Sequence, residues 1–180
     1  MLGLVALAPL ALAAQDRPDS AQMARVMELA QPGPEHRRLA ALAGTWNVTF
    51  TTPMQEMTFT AVAENTITMG GRFLESRVRG AVGGMPFEAL TIVGFDRGPA
   101  VYTAVGFDAS GTFYVTGAGP WDDRVNGANL SGTYDDPATG HAHTYEFEWR
   151  VHSTDHYSWA VVFLEGGRRS TVMRGDYRRH

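Results

Sequence analysis

Two histidines on one predicted strand, His141 and His143, are the residues in this sequence whose types and spacing could do metal chemistry. Side chains two positions apart on a strand face the same way, so both imidazoles share a face with Tyr145. A zinc or iron site commonly takes such nitrogen ligands, and carboxylates supply others. Candidates for the missing ligands are Glu75, Asp96 and Asp108. The alternative is that both histidines are hydrogen-bonded or hydrated residues at a strand start beside a turn.

A second set of charged residues lies on another predicted strand, where Glu75, Arg77 and Arg79 share one face. If that face points into the protein, the side chains would form a polar clamp for a carboxylate or phosphate ligand. If it points outward, they are solvated surface charges. No serine lies in a Gly-x-Ser-x-Gly elbow, the turn that exposes the nucleophile of many hydrolases. We therefore predict no catalytic residues and leave open whether the protein is an enzyme.

Composition narrows the class of protein. The 15 basic and 19 acidic residues give a net charge of −4, and no basic face suggests a nucleic-acid partner. The sequence has no cysteine, which excludes disulfides, thiolate catalysis and cysteine-based zinc sites. Glycine is abundant, at 20 of 180 residues, as expected for a chain with many turns.

The first residues have the character of an export signal. Residues 1–14 are uncharged and rich in Leu, Ala and Val, and they include the cleavage pattern Ala11-Leu12-Ala13. The run is shorter than the roughly 20 apolar residues of a transmembrane helix. We therefore predict a signal peptide at 1–14, a periplasmic or secreted location, and no membrane span. A polar lead-in and helix would follow at 15–33, and a barrel domain at 34–180.

Two short helices precede a long series of strands. Apolar residues at helical spacing between residues 21 and 30 predict the first helix. Pro34 suits the start of the second helix, and Gly44 its end. From Trp46 the apolar period changes to two, and turn residues separate about nine or ten segments. This pattern predicts an all-β fold, a single antiparallel up-and-down lipocalin-like barrel with the helices plugging one end.

Aromatic side chains at alternating strand positions would face the barrel interior, where they suit a small hydrophobic or amphipathic ligand. The candidate ligand-binding residues are Phe50, Phe59, Phe87, Phe95, Tyr102, Tyr145, Phe147 and Trp149. The alternative is that these side chains fill the barrel, as they do in examples with about eight strands. At the plugged end, Gly44 would stop the helix and Trp46 would stack with an arginine of the last strand, Arg174 or Arg178.

Several ordered motifs together resemble one known family. They are Gly33-Pro34-Glu35-His36, Leu42-Ala43-Gly44-Thr45-Trp46, Gly70-Gly71-Arg72-Phe73-Leu74-Glu75, Gly84-Met85-Pro86-Phe87-Glu88, Gly94-Phe95-Asp96, and Gly132-Thr133-Tyr134-Asp135-Asp136-Pro137-Ala138-Thr139-Gly140. The sequence is similar to the bacterial family known as domain of unknown function 1579, whose members look like lipocalin and nitrobindin relatives. The resemblance implies a calycin-type barrel with a central cavity, and it brings no catalytic set. Relatives typically carry basic or neutral residues where this chain has His141 and His143.

Nitrobindin-like barrels hold haem through a histidine on a late strand, so the resemblance also raises haem as a cofactor. His143, His152 and His156 are late in the chain, but His152 lies on the polar strand face and His156 in a predicted turn. No cofactor is therefore predicted, with metal or haem as alternatives. The favoured hypothesis is an exported monomer or dimer that binds a small hydrophobic or amphipathic ligand. Its rivals are a metal- or haem-dependent protein that uses His141 and His143, and an envelope interaction module with a filled barrel.

Overall fold

The computed structural model describes residues 19–136 and 138–180. The chain divides into two units, one that ends at Ala30 and one that spans Gln31–His180. In the first unit, helix α1 spans Ser20–Leu29 and begins with a capping box between Asp19 and Gln22. No helix in the described part of the chain is long and apolar enough to cross a membrane. The predicted signal peptide lies outside the described residues.

The second unit consists of helix α2 followed by strands. Helix α2 spans Pro34–Ala40. The strands are β1 (Gly44–Thr52), β2 (Met57–Thr68), β3 (Phe73–Val82), β4 (Met85–Asp96), β5 (Val101–Asp108), β6 (Val115–Gly119), β7 (Trp121–Asp122), β8 (Gly127–Asp135), β9 (Ala142–Ser153), β10 (His156–Glu165) and β11 (Arg168–Arg179).

The strands form one closed antiparallel barrel. Strands that follow one another in the chain pair, except β6 and β7, and β1 pairs with β11. The sheet closes where Ala118 of β6 lies opposite Ser131 of β8. Proline lacks the amide hydrogen that a ladder needs, and Pro120 separates β6 from β7, which both pair with β8. We count β6 and β7 as one interrupted strand, so the barrel has ten. The predicted all-β up-and-down barrel is confirmed.

Strand alternation separates an apolar interior from a charged exterior. In β1 the side chains of Trp46, Val48 and Phe50 are at most 2% exposed, whereas the residues between them are exposed. On the outer wall Arg79 donates a hydrogen bond of 2.8 Å to Glu88. Inward side chains thus supply the hydrophobic stabilisation, and exposed ion pairs of this kind add at most about 1 kcal/mol each.

Helix α2 closes one end of the barrel, and His36 fixes its start. The Gly33 amide donates a hydrogen bond of 2.9 Å to His36 Nδ1, which satisfies a backbone donor that a helix start leaves free. The His36 ring is 6% exposed and meets Phe95 edge to face at 6.0 Å between ring centroids. Burial lowers the pKa of His36, Arg97 and Arg72 act in the same direction, and Glu35 opposes them. The neutral imidazole therefore holds the helix start onto β4.

One arginine of β11 locks the other end of α2. The Arg179 guanidinium lies 4.4 Å from the centre of the Trp46 ring. It also donates hydrogen bonds to the carbonyls of Ala41 and Ala43, just after α2, at 3.1 and 3.0 Å. On its far side it reaches the Thr154 carbonyl at 2.8 Å. The same side chain therefore ties α2, β1 and the turn between β9 and β10 together.

The prediction that Arg174 or Arg178 stacks on Trp46 is wrong. In the register of β1 with β11, Arg179 lies opposite Trp46, Arg178 opposite Asn47 and Arg174 opposite Thr51. Both Arg174 and Arg178 are exposed, because their side chains alternate to the outer face. The prediction that Gly44 ends the second helix is also wrong, because α2 ends at Ala40 and Gly44 begins β1. Gly44 has a φ of +125°, and a Cβ there would lie 2.9 Å from Arg179 Nη1.

Arg179→Lys should lower the free energy of unfolding by about 1–3 kcal/mol. Lysine keeps the charge but loses the planar fork that stacks on Trp46 while it donates to several carbonyls. Arg174→Lys is the matched control on the same strand and should change stability by less than about 0.5 kcal/mol. Urea unfolding followed by circular dichroism measures both, and equal effects would contradict the role of Arg179.

Stability should depend on pH through His36. Its folded-state pKa lies below the usual value, so near pH 6.5 the unfolded chain binds more protons than the folded one. The contribution is therefore fully present above about pH 6.5 and is lost as the pH falls below it. In His36→Asn an amide oxygen replaces Nδ1 without titrating, so the free energy of unfolding should fall less between pH 7.5 and 5.5, about the window of a histidine titration. Identical pH profiles in the two proteins would contradict this assignment.

Candidate functional site

The half of the barrel beneath α2 is filled by side chains. Trp46 and Tyr157 meet edge to face at 4.7 Å between ring centroids, and Tyr157 stacks on Tyr177 at 4.3 Å. Asn65 donates a hydrogen bond of 3.0 Å to the Leu42 carbonyl and lies 3.0 Å from the Tyr157 hydroxyl. Rings in such contact leave no room for a ligand in this half.

Three of the predicted ligand-binding residues lie in this packed half. Tyr102 is fully buried, its hydroxyl donates to the Glu35 carbonyl at 3.2 Å, and its ring contacts Phe95 and Trp149. Trp149 is 5% exposed and also contacts Trp121. Burial raises the pKa of Tyr102, which keeps the phenol uncharged. These residues hold the plug in place.

Towards the open end, aromatic side chains form a partly exposed surface that we call the aromatic cup. Its members are Phe50, Phe59, Phe87, Phe147 and Trp159. Phe50 is the floor, 4.9 Å from Phe59, 6.0 Å from Phe87 and 5.7 Å from Trp159 between ring centroids. Phe147 stacks on Trp159 at 5.1 Å. Only Phe50 is fully buried, and the other four rings are partly accessible.

The structure adds Trp159 to the predicted set and places Tyr145 apart from the cup. Trp159 lies opposite Trp149 and two positions from Tyr157, so strand alternation alone would have put it on the inward face. Tyr145 is 4% exposed, and its hydroxyl donates to the Thr116 carbonyl. Its phenol therefore serves to hold β9 against β6.

A hydroxyl and a wall of small residues complete the open half. Thr52 follows Phe50 on the inward face of β1 and is 5% exposed. Its Oγ1 has no hydrogen-bond partner among the described residues. On the wall formed by β5 and β6, the inward positions towards the open end are Ala104 and Gly106 on β5, and Gly117 and Val115 on β6. Such side chains project little into the barrel, so this wall leaves more of the interior free than the aromatic one.

His141 and His143 lie at the rim of the open end, together with Glu165. One ligand atom from each residue lies within 4.8 Å of the others. His143 Nδ1 and Glu165 Oε1 form a hydrogen bond, and the His143 side chain is 18% exposed. The rings of His141 and His143 are 4.9 Å apart between centroids. We call these three residues the rim cluster.

Aromatic rings orient the inner histidine of the rim cluster. The His143 ring stacks on Phe163 at 5.1 Å and 16°, and it lies nearly parallel to Tyr134 at 6.3 Å. The nearby carboxyl of Asp136 accepts hydrogen bonds from the Ala138 amide and the Thr139 hydroxyl, which lower its pKa. The rim therefore combines a fixed imidazole with a carboxylate that stays charged.

The carboxylate of the rim cluster is not among the three proposed from the sequence. Glu75 faces outward beside Arg77, Asp96 accepts from the Gly98 amide, and Asp108 accepts from Ser110. The inward alternative for Glu75, Arg77 and Arg79 is wrong, because Leu74, Ser76 and Val78 occupy the inward face of β3. Glu165 was missed, although the register of β9 with β10, continued by one residue, brings it opposite His143.

The other late histidines lie on the outer face, between β9, β10 and β11. His152 Nε2 is 2.7 Å from the Ser158 hydroxyl, and His156 Nε2 is 2.7 Å from Asp176 Oδ2. Ser158 and Asp176 are neighbours in the ladder on this face. Neither imidazole faces the interior, so they offer no axial ligand to a haem held inside the barrel.

An apolar cleft of about 430 Å³ lies on the outer wall. It lies over β4, β5 and β6, and its lining includes Phe73, Ile92 and Val105. The interaction-module hypothesis would need a surface of this kind.

The comparison with known proteins identifies one family. The family described as "Protein of unknown function (DUF1579)" matches residues 31–179. No curated protein matches the chain. The matched region begins just before α2 and ends in β11, so it covers the plug and every strand. The chain belongs to the DUF1579 family.

Proposed function

We propose that this protein binds a small hydrophobic or amphipathic molecule in the aromatic cup. The observation that carries the proposal is that four aromatic rings at the open end stay partly accessible, whereas Trp46, Tyr157 and Tyr177 beneath α2 are buried. Burial of apolar surface contributes about 25 cal/mol per Å². A ligand that covers these rings would therefore gain more than one that binds at the packed end.

The polar group that such a ligand would meet is the Thr52 hydroxyl. A buried hydroxyl without a partner costs about 1–3 kcal/mol. Because Oγ1 of Thr52 is in this state beside the cup floor, a ligand with one hydrogen-bonding group would recover part of that cost. A single unpartnered hydroxyl beside an apolar surface favours an amphipathic ligand whose polar group reaches β1.

Phenylnaphthylamine, an apolar dye whose fluorescence rises in apolar sites, tests the cup. We expect saturable binding at one site, weakened at least about tenfold by Phe87→Glu, because the new carboxylate would lose solvation next to a bound ring. Phe107→Glu is the matched control, since Phe107 is 43% exposed on the outer face. Equal weakening in both variants would contradict the location.

Displacement of the dye by dodecanol and by dodecane tests the polar contact. In Thr52→Val the hydroxyl is lost at nearly constant volume, so dodecanol should displace the dye about fivefold less well, as expected for a bond worth about 1 kcal/mol. Displacement by dodecane should not change. A folded protein that binds neither dye nor alcohol would support the filled barrel instead.

The proposal includes export, which residues 1–14 support through their apolar composition and the small-residue pattern that ends at Ala13. Expression of the full chain in a Gram-negative host should give a periplasmic or secreted product that begins at Ala14 or Gln15. The mass of the purified product measures this start, and Ala13→Leu should retain the signal. An uncleaved product in the cytoplasm would contradict export.

A further inference from the structure

We propose that His141, His143 and Glu165 form a binding site for a divalent transition-metal ion, with zinc as the best match. The inference does not depend on the aromatic cup, because the three side chains lie at its rim and none is among its members.

The separation of the ligand atoms suits one ion. Two ligands that each lie about 2.1 Å from a tetrahedral zinc are about 3.4 Å from each other. In this structure, which contains no ion, the three ligand atoms already lie within 4.8 Å of one another. These separations differ by only about 1 Å from those of a tetrahedral zinc site.

The donor set indicates which ion fits. Two imidazoles and one carboxylate are the protein ligands of several catalytic zinc sites, where water takes the fourth position. The same set with more open positions suits ferrous iron. Magnesium and calcium prefer oxygen ligands. His141 and Glu165 are exposed, so water can reach the remaining coordination positions.

The surroundings prepare His143 for this role. Its ring plane is fixed by Phe163 at 5.1 Å and by Tyr134 at 6.3 Å, which reduces the entropy lost when the imidazole binds an ion. His143 Nδ1 and Glu165 Oε1 face each other across the position that the ion would take.

Zinc titration of the tag-free, chelator-treated chain tests the site. Isothermal titration calorimetry should show one zinc ion per chain. His141→Ala, His143→Ala and Glu165→Gln should each weaken binding at least about tenfold, since even the loss of groups that only orient metal ligands costs 10–100-fold. Cobalt in place of zinc should give the visible absorption of a low-symmetry site with nitrogen ligands, and His143→Ala should abolish it.

His152→Ala is the matched control, because it removes a histidine of the outer face from the opposite end of the same strand. This variant should bind zinc as tightly as the parent protein. Circular dichroism shows whether each variant is folded, and the more conservative His143→Gln replaces His143→Ala if the latter is not. The proposal is overturned if the folded parent chain binds no zinc, or if the rim variants bind it as the parent does.

Discussion

The contact between Arg179 and Trp46 is the interaction on which the closed end of the barrel depends. A guanidinium can stack on an aromatic face and still direct its N–H groups to carbonyls that lie in the guanidinium plane. Arg179 uses both properties, because it covers Trp46 and binds the carbonyls of Ala41, Ala43 and Thr154. The carbonyls at the end of α2, which a helix leaves without partners, thereby become the attachment of the plug. The negative end of the helix also favours the positive charge there.

Because helix α2 is held firmly at one end, the barrel interior has two parts with different roles. Beneath α2 the rings of Trp46, Tyr157 and Tyr177 contact each other, and their packing supplies stability. Beyond Phe50 the interior is lined on one side by larger rings and on the other by Ala104, Val115 and glycines. A barrel with a packed half can keep accessible apolar surface in the other half, because its stability does not depend on filling both.

Strand alternation made much of this predictable, whereas contacts between distant strands were harder to foresee. The inward face of β1 and the shared face of His141 and His143 follow from a period of two. The residue that stacks on Trp46 depends on the register of β11 with β1. Strand alternation alone could still have identified it, because Arg179 shares a face with the inward Met173 and Arg174 does not. Glu165 required the register of β9 with β10. The accessibility of the cup depends on how the ten strands close into a barrel, and no local sequence pattern predicts that closure.

The pairing of β1 with β11 has a consequence for how the chain acquires its structure during synthesis. Trp46 and Arg179 are partners across this ladder, although nearly the whole barrel separates them in sequence. Until residue 179 has left the ribosome, strands that form early can make only an open sheet, with β1 as an unpaired edge and Trp46 uncovered. Exposed edges and apolar rings promote association with other chains. An incomplete barrel therefore exposes an edge and an aromatic ring that β11 covers in the finished fold.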